Sequence, residues 1–167
     1  HFMTSRFDRS GNEKLHYQSL CAMDHADYKL PGQYSYEQLF ETMRLLRLPY
    51  TDAVELFKRM VFNVLARNCD DHTKNFGFLM NKKGTWSLSP AYDICHAYRP
   101  NSTWVSQHAL SINNKRKDFT IQDFIDLANA INIKKPLQLI EEVRQSVSNW
   151  KDYAKQVEVD SALTNAI

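Results

Sequence analysis

The chain has 167 residues, 43% of them hydrophobic and 24% charged, with a formal net charge of +2. That length suits one domain able to bury most of its apolar surface, and the charge is too small to argue for direct nucleic-acid or membrane-surface binding. Three cysteines without a CxxC pair exclude a disulfide framework and a zinc site, no apolar run approaches the roughly 20 residues of a membrane span, and the first residues do not form a signal peptide, so a reducing, cytoplasmic setting is expected.

In chain order, His1 to Phe7 is a short β-prone piece. Residues 10–34 read as irregular, with turn signals at Ser10-Gly11-Asn12 and Pro31-Gly32 and one or two helical turns between Tyr17 and Met23. Ser35 opens a helix with Gln38 as its capping-box partner; Leu39, Phe40, Met43 and Leu46 keep helical spacing, and Leu48-Pro49 ends it. A second helix runs from Thr51-Asp52 to about Arg67, with Val54, Leu56-Phe57, Met60-Val61 and Val64-Leu65 on a broad apolar face that predicts deep burial. Phe76 to Met80 and Thr85 to Leu88 flank Asn81-Lys82-Lys83-Gly84 and predict a hairpin. Residues 99–117 read as polar and irregular, with Lys115-Arg116-Lys117 either a solvated loop or a binding patch. Thr120 caps a helix to about Ile131, with Ile121, Phe124, Ile125, Ala128 and Ile131 inward. Pro136 precedes another to about Trp150, with Leu137, Ile140, Val143 and Val147 on one face, and a last helix spans Tyr153 to Leu163. The sum predicts a mainly α fold.

The chemistry concentrates in Asn68-Cys69-Asp70-Asp71-His72-Thr73-Lys74-Asn75. Asp70 stands five residues before Asn75, and Asp93 follows eighteen residues after Asn75, at the far end of the hairpin. A hairpin returns its ends to one place, so the three side chains read as one site. Phosphoryl transfer from ATP needs an Asp to align the attacking hydroxyl and accept its proton, and an Asn and a second Asp to hold Mg2+. The Asp–Asn spacing equals that of the protein-kinase catalytic loop, although neither His-Arg-Asp nor Asp-Phe-Gly occurs. The blander readings are a polar helix end for Asp70 and a turn cap for Asp93. Acidic groups at a helix C-terminus oppose the macrodipole, which weighs against the first. His72 reads as either a metal ligand or, preferably, an orienting hydrogen-bonder, and Lys74 as either a phosphate contact or a solvated side chain. The four glycines are too far apart for GxGxxG or GxxxxGK, so the usual backbone cradle for phosphates is missing.

Arg6-Phe7-Asp8-Arg9, Asp70-x-His72-x-Lys74-Asn75-Phe76 and Pro90-Ala91-Tyr92-Asp93-Ile94 occur in this order over nearly the whole chain. By these elements the chain resembles the C-terminal region of HipA-type serine/threonine kinases, the toxins of bacterial toxin–antitoxin pairs. The resemblance implies a two-lobed kinase-like fold with ATP between the lobes. It also implies transfer to a serine or threonine of a protein substrate, an aminoacyl-tRNA synthetase being the known type of target, and neutralisation by a helix-turn-helix antitoxin that binds operator DNA. Asp70 then corresponds to the catalytic Asp, and Asn75 and Asp93 to the Mg2+ ligands. Ser5 to Phe7 correspond to the hinge that holds adenine, although the family has an acidic residue where this chain has Ser5. His72 and Lys74 match further fixed letters of the ATP-site motif. The expectation is a kinase-like C-terminal lobe over residues 1–167, a helical bundle with a short hairpin beside the catalytic loop and a hinge at 1–9. The N-lobe is expected elsewhere, in a longer chain or as a separate polypeptide. The alternatives are a stand-alone lobe that binds a partner without catalysis and, less favoured, a small-molecule kinase of the same fold class.

Overall fold

The computed structural model describes residues 3–166, so His1 and Phe2 of the β-prone start lie outside the described residues. From Met3 to Arg6 the chain is irregular, and the first strands are β1 (Arg9–Ser10) and β2 (Glu13–Lys14), an antiparallel pair closed by Leu15 N–H donating to the Asp8 carbonyl at 3.0 Å. The expected helical turns from Tyr17 start later. Residues His16–Ser19 form strand β3, and only Leu20–Met23 are helical (α1), with Ser19 as N-cap. Side chains along β3 alternate between exposed and half-buried, the period of a paired strand, and its pairing with β4 overrides local propensity.

Helix α2 (Tyr36–Leu45) carries the Ser35/Gln38 capping box in both directions, and α3 (Tyr50–Leu65) is the central helix. Leu56, Phe57, Met60 and Val61 of α3 are buried against Leu39 and Phe40 of α2 in the main core. Strands β4 (Gly77–Met80) and β5 (Trp86–Leu88) form the expected hairpin, in register Met80↔Trp86. The Asn81 side chain ties its turn by accepting from Lys83 N and Thr85 N at 2.9 and 3.0 Å. The hairpin joins β3 in a three-stranded antiparallel sheet ordered β3-β4-β5. Asp52, in the first turn of α3, accepts from Leu88 N at 2.8 Å and fastens that sheet to the central helix.

The long stretch after residue 99 has little regular structure but is not simply polar: His108 to Ile112 are buried. Backbone bonds hold it from both sides, Ser111 N to Tyr34 O at 3.1 Å and Tyr36 N to Ser111 O at 2.9 Å. Helices α4 (Ile121–Ala130) and α5 (Pro136–Ser148) close the core with Phe124, Leu127, Ile140 and Val143. Ile121 and Leu137, expected inward, are 55% and 57% exposed. Each lies in a first helical turn, where side chains lean toward the N-terminus and past the edge of the core. The single last helix is instead α6 (Trp150–Gln156) and α7 (Ser161–Ala166), interrupted at Glu158 (φ 55°) and restarted where Asp160 accepts from Ala162 N at 2.9 Å. With seven helices and two small sheets among the described residues, the fold is mixed α/β and not mainly α. The sequence reading missed β1 to β3, which are short and lack an apolar run. No described helix is long and apolar enough to cross a membrane.

Candidate functional site

The loop after α3 is fixed by its backbone before any side chain acts. Arg67 turns out of the helix in the left-handed region (φ 54°), and Asn68 pairs with Ala97 in an isolated parallel bridge. Cys69 then donates to Ala97 O at 3.0 Å and accepts from Ala109 N at 3.2 Å, so the loop is laced between two extended segments.

Asp71 anchors its rear. Its side chain is fully buried and accepts from three donors: Tyr36 Oη at 2.8 Å, His108 Nδ1 at 3.0 Å and the backbone N–H of Ala109 at 2.7 Å. Behind Tyr36 the chain of bonds continues, Asn63 Nδ2 to Tyr36 Oη and Asn68 Nδ2 to Asn63 Oδ1, both at 3.0 Å. Burial pulls the His108 pKa down, but the bonds to Asp71 and Cys69 and the field of both groups carry it up to about 9. A buried carboxylate is tolerable only when paired and fully hydrogen-bonded, and this one is. None of these anchors was singled out from the sequence. The signal that existed was the double Asp, since two adjacent carboxylates at a helix end need two different environments.

Asp70 faces the other way, with 46% of its side chain exposed. The Asn75 side chain donates through Nδ2 to the Asp70 backbone carbonyl at 2.8 Å, which closes the loop and leaves Oδ1 of Asn75 uncommitted. Asp93 is exposed and in the left-handed region (φ 52°). Its segment is tethered by the preceding residue: Tyr92 Oη donates to Lys74 O at 2.6 Å, and Tyr17 Oη then supplies the proton of the 2.6 Å Tyr17–Tyr92 bond. Burial raises the pKa of both phenols, so they stay protonated donors. The Tyr17 ring reaches Tyr92 only by crossing Gly77, where an added Cβ would lie 2.2 Å from Tyr17 Cε2.

Asp70 lies within the field of Asp93. The Asp70 pKa is raised, by burial first; nearby His72 lowers it, and Asp93 and Asp71 raise it. The Cys95 thiol is pushed up by burial and then by the charges of Asp93 and Asp70.

His72 sits between these regions, with Nε2 3.8 Å from Asp70 Oδ1 and Nδ1 buried without a hydrogen-bond partner. Tyr28, also absent from the sequence reading, organises this corner. Its ring meets His72 edge-on at 5.6 Å between centroids and carries the Lys74 ammonium 3.7 Å above its centre. Phe7 is half-buried and packs on Tyr17 and Tyr92 at 5.8 and 5.6 Å, which joins the start of the chain to the Asp93 tether. Ser5 is exposed in the irregular start.

Among the described residues no group of three or more His, Cys, Asp or Glu forms a metal cage. Mg2+ does not call for one, because it binds through one or two carboxylates, waters and substrate phosphates. Among the described residues neither Asp70 nor Asp93 has a Lys or Arg partner and Oδ1 of Asn75 accepts no hydrogen bond, and carboxylate and amide oxygens of this kind fit that donor set.

The chain matches the HipA-like C-terminal domain over residues 1–150. It is 26% identical over 102 residues to a Sinorhizobium fredii (strain NBRC 101917 / NGR234) protein named "Putative kinase Y4mE", an alignment covering 55% of this chain and 24% of that protein. Its fold superposes with a TM-score of 0.71 on a chain of the Shewanella oneidensis MR-1 toxin–antitoxin complex of HipA, HipB and operator DNA, covering 92% of this chain and 41% of that one. At 18% identity the second likeness is one of fold, and the chain spans less than half the length of either relative. The family match, by contrast, takes in all but the last 17 residues (167 − 150), including the loop, the hairpin and the Asp93 segment, and by it this chain belongs to the HipA-like C-terminal domain family.

Proposed function

We propose that this chain forms the catalytic face of an ATP-dependent protein serine/threonine kinase of the HipA type. The observation that carries the reading is the joint placement of Asp70, Asn75 and Asp93. Asn75 is bonded to the Asp70 backbone, Asp93 is tethered through Tyr92 to Lys74, and the charge of Asp93 acts on Asp70. Asp70 is the group that aligns a substrate hydroxyl and takes its proton, and its raised pKa strengthens it as a base. Asn75 Oδ1 and Asp93 would hold Mg2+, whose chemistry is to neutralise the phosphate oxygens of ATP during transfer. Lys74, held over Tyr28, keeps its ammonium protons for a phosphate, His72 orients Asp70, and Phe7 with Ser5 would border adenine. A separate or upstream N-lobe would supply the glycine-rich phosphate contacts that the sequence lacks. A helix-turn-helix antitoxin is the proposed regulatory partner, in keeping with the fold likeness to a HipA–HipB assembly.

One observation favours a second reading, a lobe that binds a partner without catalysis: no phosphate-cradling glycine motif lies within the 167 residues. The two separate by transfer of labelled phosphate from ATP to a protein hydroxyl, measured with the N-lobe supplied. Asp70→Asn should lower the rate at least ~10²-fold, the lower end of a lost general base. Asp93→Asn should lower Mg2+ affinity and be partly rescued by excess Mg2+, whereas Asp70→Asn should not. Wild-type transfer by a folded Asp70→Asn variant removes Asp70 from the catalytic role, and no transfer by the unsubstituted chain with the N-lobe supplied removes the kinase reading.

A further inference from the structure

Behind the candidate site, the chain before and after the buried 108–112 segment encloses a polar hollow of about 240 Å³. Arg67, Arg116 and Lys117 line it, and none of the three has a carboxylate partner within 4.0 Å among the described residues. One carboxylate, Asp118, also lines it, so its formal charge is 3 − 1 = +2, apart from the His108–Asp71 pair, which is neutral overall. Both arginines are held in place. The Arg67 guanidinium lies 3.5 Å above the centre of the Tyr98 ring. Arg116 donates Nε to His108 O at 2.6 Å, and its stem crosses Gly32, where an added Cβ would lie 2.8 Å from Arg116 Cδ. An arginine fixed through Nε or by ring stacking keeps terminal N–H groups for a bidentate oxyanion, and its ordering entropy is already spent.

We infer that this hollow is a binding site for a phosphate monoester carried on a protein side chain, phosphoserine or phosphothreonine. A dianion with several acceptor oxygens matches three convergent cations. Nucleic acid fits less well. The cations gather at one hollow and do not form a stripe, and Arg67 already occupies one face of the Tyr98 ring. The hollow also reaches the catalytic loop, because Cys69 and His108 are in its wall and His108 bonds Asp71. A bound phosphoryl group is therefore placed to act on the anchor beside Asp70. The binding step is independent of the proposed reaction and is tested without it.

The test is titration of the chain, followed by calorimetry and by amide shifts in nuclear magnetic resonance. The probes are a Gly/Ala pentapeptide with one phosphoserine, its unphosphorylated twin, inorganic phosphate and an oligothymidylate. The phosphopeptide should bind, the twin should not, and shifts should centre on Gln107, His108 and Lys117. Arg67→Gln and Lys117→Gln should each weaken binding by about tenfold, as expected for loss of one charge-assisted contact, while exposed Lys151→Gln changes nothing. Lys117 is exposed and carries no side-chain bond among the described residues, so its variant tests the site without threatening the fold. Equal binding of the twin, full affinity in Lys117→Gln, binding of inorganic phosphate but not the phosphopeptide, or tighter binding of oligothymidylate would each overturn the proposal.

Discussion

Asp70 keeps nearly half of its side chain exposed and, among the described residues, has only His72 as an ionic neighbour, at 3.8 Å, while Asp71, the next residue, is fully buried and accepts three hydrogen bonds. The same contrast runs through the surrounding structure. The rear of the loop is a connected network through Tyr36, Asn63, Asn68 and His108, in which nearly every polar atom is satisfied; Asn68 Oδ1 is an exception. The front is held mostly through backbone carbonyls, by Asn75 to Asp70 and Tyr92 to Lys74, and its carboxylates are left without strong partners. Rigidity and solvent access are thus assigned to opposite sides of one segment. Two like charges near each other would destabilise a site meant only to hold the fold together, and here they occur where the rear network can offset their repulsion.

The largest expected effect falls on the rear. Asp71→Asn should destabilise the chain by about 3–5 kcal/mol, because it leaves the buried His108 imidazolium without its counter-charge. Urea unfolding followed by circular dichroism measures this, and a loss under ~1 kcal/mol would break the division between the two sides.

The pH dependence of stability follows from the same pair. His108 has a folded pKa near 9 against about 6.5 when unfolded, so its contribution is full below ~6.5 and is lost as pH rises through about 9. At 1.36 kcal/mol per pH unit the loss is on the order of 3–4 kcal/mol. His108→Gln should flatten the profile across that window.

Gly77→Ala should cost about 1–3 kcal/mol by driving the Tyr17 ring off its path to Tyr92. In a Tyr17→Ala background the same change should cost much less, since the clash is specifically with that ring. The smallest effect belongs to the front: Asp70→Asn should leave stability within about 0.5 kcal/mol of wild type, because the carboxylate has no bond whose loss destabilises the fold. A large destabilisation by Asp70→Asn would make it a structural residue like its neighbour.

The sequence by itself determined the elements whose causes are local. The Ser35/Gln38 box, the apolar stripe of α3 and the Asn81–Gly84 turn between two β-prone runs depend on residues a few positions apart, and each forms as its local chemistry dictates. The spacing of Asp70, Asn75 and Asp93 was likewise legible. Tertiary structure alone decided the rest. Whether β3 became strand or helix depended on a partner about sixty residues away, Tyr17↔Leu79. That Asp71 and not Asp70 is buried depended on Tyr36 and His108, thirty-five and thirty-seven residues distant. The sequence shows two adjacent carboxylates of equal chemistry. Only packing removes one of them from water, because desolvation and hydrogen-bond partners are properties of a place in the fold and not of the residue.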